Sequence, residues 1–373
     1  MIRINKIKIY HLEYKLKKYV YTSFGVMKKR PALIIELKDK YNNIGLGEIW
    51  CNFPSDGALY KFNLLKNIFV NKIKNTNIND PSDISKIFLD VRSIFVQSND
   101  LGSYDSILAG FNCALWDLFS KNKKKPLNKL INDKATNKII LYASGINPDE
   151  ATKSIEKARK LGIKSFKIKI GFNNNLDLNL IKKIMLFCNK NENLMFDVNQ
   201  GWDINNAKKY LKILKKFPIY WIEEPVSALT KDRDYLELIN SSKISIALGE
   251  NISNEKKFIN FLKNRKIKFI QPDITKYGGL SFIVKNFNSN INNKLYLHFL
   301  GSAVGMITSA HLMSAINKNG LLETDLNTNP LRESLFKEKL SISNGILNLN
   351  QLPGIGFTLN KNLIGKYLVN LLK

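Results

Sequence analysis

Three acidic residues frame the chemistry of this chain. Asp197 closes the apolar run NLMFD, Glu223 closes IYWIE, and Glu250 follows ISIALG, at intervals of 26 and 27 residues. Each run is short and partly β-branched or aromatic, the pattern of a parallel strand buried on both faces. The interval is what a strand, a loop, a helix and a return loop consume. In parallel α/β folds the carboxyl ends of consecutive strands surround one point, so these acids are expected side by side. Three carboxylates that close repel one another unless a cation lies between them. All-oxygen ligation with room for water favours Mg²⁺, with Mn²⁺ as the alternative, over zinc or copper. Asp197, Glu223 and Glu250 are therefore the candidate metal ligands.

The rhythm continues on both sides. Further polar residues fall near the ends of candidate strands at Ser144 (KIILYAS), Lys169 (KSFKIKI), Asp273 (KFIQPD), His298 (LYLHF) and Glu323 (GLLET), with gaps of 23 to 28 residues along all eight stations. Such spacing predicts an eight-stranded (β/α) barrel in which each strand brings one residue to the mouth. Lys167 and Lys169 alternate by two and both face inward. A lysine desolvated beside another cation loses proton affinity and can act as a base. Asp273 and His298 lie on neighbouring strands, where an Asp–His pair fixes the tautomer and raises the basicity of the imidazole. Two bases would then reach a bound substrate from opposite faces. Glu323, across the barrel from Glu223, is expected to be protonated and to donate to one oxygen of a substrate carboxylate. This set stabilises an enediolate, the dianion left when a proton leaves the carbon beside a carboxylate. Singly, each residue has a plainer reading as a strand-end hydrogen bonder, and the two lysines as ordinary strand alternation. Their joint spacing favours the chemistry. His311, in the apolar SAHLMSA, reads as a packed histidine, and His11 as a surface residue.

The elements that must hold these stations fill a chain of 373 residues, enough for a barrel of about 250 residues and a smaller partner. Residues 1–126 read as an α+β capping domain: a β meander over residues 1–50, then helices over 58–125, the last with Asp105 as N-cap. Between the first two strands YVYTSFGVMKKR, residues 19–30, reads as a solvated loop or a mobile lid. Its Lys28, Lys29 and Arg30 are candidates to meet the distal end of an anionic substrate. CNFPSDG reads as a turn, and Pro126 marks the domain edge. The barrel spans 127–350, with amphipathic helices such as DEATKSIEKARKLG ending on Gly162 as C-cap. An irregular tail from residue 329, closing with a return segment over 351–373, is expected to pack on the capping domain.

Composition narrows the function classes. The net charge is +27, yet only seven of the 58 basic residues are Arg, whereas nucleic-acid recognition favours the bidentate Arg fork. No zinc-finger spacing or RNA-binding aromatic motif is present. The charge reads as solvated Lys faces, and a basic nucleic-acid-binding protein on an inactive barrel is the remote alternative. No stretch reaches the roughly 18 apolar residues of a membrane span, and the N-terminus lacks the apolar core of a signal peptide. Cys51, Cys113 and Cys188 lack metal or redox spacing and suit free thiols. A cytoplasmic enzyme without a membrane or nucleic-acid partner is expected.

The motifs GLGEIW, CALWDL, FKIKIG, DVNQGW, WIEEP, LGEN, QPDITKYGG, LHFLGSAVG and LLETD resemble the enolase superfamily, specifically its mandelate racemase subgroup, over nearly the whole chain. The resemblance implies a modified (β/α) TIM barrel under an N-terminal α+β capping domain. It implies Mg²⁺ on Asp197, Glu223 and Glu250, with Lys169 and His298 as bases, a mechanism the superfamily is known for. It further implies Lys167 beside Lys169, Asp273 paired to His298, Glu323 as electrophile and Asn199 at the substrate; Ser144, the first strand-end station, is a further candidate for substrate binding. The subgroup rests on Asp273, five residues before Gly278, where the muconate-lactonising branch carries a catalytic Lys, and on Glu250 in GEN. The segment SKNKKKPL departs from relatives, which place glycine there. The implied reaction on a small carboxylate is dehydration of an acid sugar to a 2-keto-3-deoxy acid. Racemisation or epimerisation of a 2-hydroxy acid, and cycloisomerisation, are the alternatives. A homo-oligomer is compatible with all of them.

Overall fold

The computed structural model describes residues 1–22, 25–172, 174–286, 295–317 and 319–373. Its first sheet contains β1 (Ile2–Thr22), β2 (Gly25–Asp39) and β3 (Ile44–Ile49) as an antiparallel meander, with β4 (Asn77–Ile78) and the C-terminal strand Leu368–Leu372 both paired to β1. The run ALII in β2 is apolar without interruption, with only the buried Glu36 before Leu37, because both sheet faces are covered. Leu33, Ile35 and Leu37 pack among the cap helices, while Ala32 and Ile34 face the barrel core, the two-residue alternation of a strand sorting them. The glycines of GLGEIW have a packing cause. A Cβ on Gly47 would lie 2.1 Å from Gly110 O and one on Gly45 2.2 Å from Ala114 O, so β3 lies directly on the helix Leu101–Asn122.

The barrel follows as β5 (Lys138–Ile146), β6 (Ser165–Lys169), β7 (Asn193–Asp197), β8 (Ile219–Glu223), β9 (Ile246–Leu248), β10 (Phe269–Ile270) and β11 (Leu321–Asp325). Neighbours pair in parallel from β5 through β10, and β11 pairs back onto β5. The strand expected over LYLHF is reduced to one parallel bridge, Ile270 to Leu295. Side chains take its other backbone partners: Asn317 donates to Leu295 O at 2.9 Å, and Phe299 N donates to Glu323 at 3.2 Å. The chain is thus a capped (β/α) barrel. We propose domain boundaries at 126 and 350, where Pro126 and Leu127 meet Gly354.

Several expectations are corrected. Residues 19–30 are not a loop: Tyr19–Thr22 ends β1 and Gly25–Arg30 begins β2, a long hairpin over the barrel mouth, with Ser23 and Phe24 outside the described residues. The N-cap of Leu101–Asn122 is Asp100, which accepts from Ser103 N, so this helix starts before Asp105. The tail is more regular than its composition suggests. β12 (Ser341–Ser343) and β13 (Ile346–Asn348) form a hairpin on β5, in the barrel sheet, and only the last strand joins the cap sheet. His11 is buried because that last strand covers it, with Asn370 Nδ2 3.0 Å from its Nδ1. Gly162 does cap its helix, at φ +76°. Among the described residues no helix is long and apolar enough to cross a membrane.

His311 is packed as its sequence context suggests: Nδ1 accepts from Asn128 N and Nε2 donates to Ile355 O, both at 3.2 Å. Burial pushes its pKa down to about 4. A histidine depressed on folding favours the folded state fully above its unfolded pKa near 6.5, and that contribution fades as pH falls toward 4. Urea unfolding is expected to show a loss of about 3 kcal/mol between pH 7 and pH 4 from this group, a component missing from His311→Gln.

Candidate active site

The barrel interior is layered by the strand period of two. Tyr142, Met195, Trp221, Phe269, Tyr296 and Leu321 form a buried apolar floor. Two residues beyond five of these stand Ser144, Asp197, Glu223, His298 and Glu323. Lys169 and Asp197 are register partners, as are Asp197 and Glu223. Lys167 belongs to the floor layer, with its ammonium 5.4 Å from the Tyr142 ring centroid. That depth lets it bridge two carboxylates, 2.5 Å from Glu223 Oε1 and 2.9 Å from Glu323 Oε1.

The charges interlock. Burial would lower the Lys167 pKa, but Glu223, Glu323, Tyr142 and Asp197 outweigh it and keep the ammonium charged. Glu323 was expected as a neutral acid, and the structure corrects this. Burial would raise it, yet Lys167 and His298 prevail and hold it as a carboxylate. Burial lowers Lys169, with Lys167 and Arg30 adding to the effect against Asp197 and Asp325; its ammonium nitrogen lies 3.2 Å from Tyr21 O in the cap hairpin. His298 is gripped at both nitrogens, 2.8 Å from Asp273 Oδ2 and 2.5 Å from Glu250 Oε2. Burial opposes its protonation, but Glu250, Glu323 and Asp273 raise its pKa well above the usual imidazole value.

Asp197, Glu223 and Glu250 carry the expected hard donors. Asp197 accepts from the backbone and side-chain nitrogens of Asn199, both at 2.8 Å. Glu223 Oε2 accepts from Trp221 Nε1 at 3.1 Å and Gln271 Nε2 at 2.6 Å. Among the described residues no three Asp, Glu, His or Cys side chains are gathered as a closed metal-ligand group, because Glu223 turns an oxygen to Lys167 and Glu250 turns one to His298. The electrostatics nevertheless fit a further cation. Glu223 is pushed up to about 8, first by burial and then by Asp197, Glu323 and Glu250, against Lys167, and Asp197 is raised by burial and by Glu250. An anionic all-oxygen set that repels itself suits a hard divalent ion.

These side chains line one cavity of 240 Å³, which holds Ser144, Lys167, Lys169, Asp197, Asn199, Glu250, His298 and Glu323 in its wall. Glu223 and Asp273 stand behind it. Val20, Met27, Trp50 and Phe53 close it from the cap. Of the three basic candidates from residues 28–30, only Arg30 lines it. Lys29 is spent on Glu13 and Asp56, and Lys28 lies over the Tyr19 ring. Arg30 is itself buried in an ion pair with Asp325, a link between cap and barrel. The sequence reading missed Asp325, two residues beyond Glu323, and Gln271, two before Asp273. Both were open to the same alternation rule. Glu224 was also missed: its φ of +36° turns the chain directly after Glu223, and its carboxylate accepts from Asn251 at 2.7 Å.

Residues 150–363 match the family described as Enolase C-terminal domain-like. Arabinonate dehydratase of Saccharolobus solfataricus is 28% identical over 274 residues, 70% of this chain and 71% of that protein. D-galactarolactone cycloisomerase of Agrobacterium fabrum is 23% identical over 98% of this chain and 99% of its own length. A solved mandelate racemase/muconate lactonizing enzyme from Bordetella bronchiseptica RB50 superposes with a TM-score of 0.87 at 27% identity, over 97% of this chain and 99% of that one. A racemase from Streptomyces coelicolor A3(2), solved with bound magnesium, shares the fold with a TM-score of 0.85 at 19% identity, over 98% and 100% of the two chains.

Lys167→Met would strand Glu223 and Glu323 without their shared cation, and removal of one partner of a buried pair costs about 3–5 kcal/mol. Urea denaturation is expected to show a loss of that size. Titration with Mg²⁺ should raise the melting temperature of the unaltered protein, as a ligand of the folded state does, and Glu223→Gln should abolish the rise.

Proposed function

Since the chain belongs to the enolase superfamily, through the Enolase C-terminal domain-like family, we propose that it is a lyase that takes the α-proton of a small carboxylate and dehydrates an acid sugar to a 2-keto-3-deoxy acid. The observation that carries this is the pairing, in one cavity, of a lysine whose proton affinity is lowered with a histidine held by an aspartate. Lys169 is on β6 and His298 follows the single bridge beyond β10, so other strands separate them on both sides of the ring. A substrate between them meets one group on each face. Lys169 takes the α-proton as a neutral amine. His298, kept in one tautomer by Asp273, gives a proton to the departing β-hydroxyl. Lys167 anchors Glu323 in the cavity wall and Glu223 behind it. The cap residues Val20, Met27 and Phe53 exclude water and strengthen each electrostatic contact inside.

Asp197, Glu223 and Glu250 would hold Mg²⁺, the ion bound in the Streptomyces coelicolor racemase; when present it supplies positive charge to the substrate carboxylate as negative charge builds there. Asn199 and Ser144 would orient the substrate from the cavity wall. The arabinonate dehydratase relative supports dehydration. The relative named a cycloisomerase and the structure named a racemase favour a second reading. In its 1,1-proton-transfer form, His298 returns its proton to carbon instead of oxygen.

Incubation of a sugar-acid library with the enzyme and Mg²⁺ separates the two. Dehydration yields a semicarbazide-reactive keto acid, whereas α-deuterium exchange in D₂O without keto acid would overturn it in favour of racemisation. Lys169→Ala and His298→Asn are each expected to lower kcat by about 10²–10⁴-fold, the usual weight of a general acid or base. EDTA should abolish turnover and added Mg²⁺ restore it.

A further inference from the structure

A second cavity, of 530 Å³, adjoins the first and shares Trp50, Phe53, Glu250, Asn251 and Lys276 with it. Its outer wall is supplied by the cap helix Gly57–Leu64 and the first turn of Leu101–Asn122. Lys61 stands in that wall at 5% exposure. Its ammonium donates to Trp50 O at 2.6 Å and lies 5.2 Å from the centroid of the Trp50 ring. Among the described residues no carboxylate forms an ion pair with it, and burial, with Lys276 adding to the effect against Cys51 and Asp100, pushes its pKa down to about 8. The ammonium of Lys276 lies over the same indole, 4.6 Å from its centroid, and donates to Asn251 Oδ1 at 2.7 Å.

The acids of this cavity are otherwise engaged or weakly charged. Asp100 accepts from Ser103 N at 3.3 Å and from Tyr60 at 2.8 Å. Glu250 accepts from Asn251 at 2.9 Å and faces His298. Asp105 is pushed up to about 6 by burial. A buried ammonium bonded only to a carbonyl retains donors and an unmet charge, and a cavity open to ligand is where both can be satisfied.

We propose that the second cavity is the subsite for a second anionic group: the substrate is a dicarboxylic acid whose reacting carboxylate sits in the first cavity and whose far carboxylate reaches Lys61 past Trp50. The assignment of the reacting end rests on the function proposed above. The distal contact thus comes from Lys61, on a cap helix, and not from Lys28 or Lys29 of the hairpin.

Three unreactive six-carbon probes test it by calorimetry in Mg²⁺: adipate, hexanoate and 6-aminohexanoate. Adipate is expected to bind about tenfold or more tightly than hexanoate, as a charge-assisted contact allows. Lys61→Met should bring adipate to the hexanoate level while leaving hexanoate within about twofold. Gly102→Glu is a second variant, in case Lys61→Met does not fold. A Cβ at Gly102 meets nothing within 4 Å, and the added carboxylate at the cavity wall should also erase the preference. Equal affinities for adipate and hexanoate, or a preference that survives Lys61→Met, would overturn the subsite. Tighter binding of 6-aminohexanoate would overturn it as well, by assigning the cavity to a cation beside Asp105. Because no probe turns over, an adipate preference without α-proton exchange on any sugar acid would uphold the subsite and refute only the reaction.

Discussion

A lysine ammonium buried between Glu223 and Glu323 sets the terms for everything else in the barrel mouth. Carboxylates crowd the strand ends because the fold delivers one residue per strand to a single place, and like charges in a dry interior repel strongly. Lys167 moderates that repulsion from below, one pleat beneath the layer it serves. Its depth is possible because the floor is aromatic: Tyr142 lies under the ammonium and Trp221 donates to Glu223. The remaining negative charge at Asp197 and Glu223 is what a divalent ion would neutralise. Lys169, one repeat higher on the same strand, feels the opposite balance and gives up its proton more readily.

The cap completes this environment by contact and by charge. Its central sheet is apolar on both faces, so it is held between its own helices and the barrel, as a middle layer rather than a lid resting on a surface. Glu48 reaches across to accept from Ser302 and Gly305 at 2.7 Å, at the start of the helix Ala303–Ile316. Arg30 crosses in the same way to Asp325. Asp117 joins three segments, accepting from Leu46 N, Ile355 N and Lys121. Each crossing is a buried acid or base satisfied from another segment, so separation would leave it without its partner.

Much of this was legible in the sequence because period and spacing are properties of the chain alone. The eight stations, the inward-facing pair Lys167 and Lys169 and the Asp273–His298 pair follow from counting residues along buried strands, and the packed His311 from its apolar context in SAHLMSA. What was not legible depended on partners distant in sequence. His11 is buried by a strand some 360 residues away, at Asn370. Glu323 is ionised because Lys167 finds it, and the sequence carries no sign of which carboxylate a lysine will choose. The hairpin over residues 19–30 reads as a loop or lid because an aromatic stretch gives way to a basic one around Gly25, although each strand has a partner. LYLHF, with an evident strand pattern, lost its ladder to the side chains of Asn317 and Glu323.

The pairing of Leu368–Leu372 with β1 joins the two ends of the described chain in one sheet. A nascent polypeptide presents the outer edge of β1 to its surroundings from the moment that strand leaves the ribosome, and within the cap itself β4 covers it only at Ile2 and Arg3. The stretch Ile9–Leu12 waits for its partner until residue 372 has emerged, after the entire barrel. An open strand edge is a template for other strands, so this part of β1 is a pairing hazard until the last strand docks. A chain cut before Leu368 would keep every residue of the mouth and leave β1 unpaired from Ile9 to Leu12.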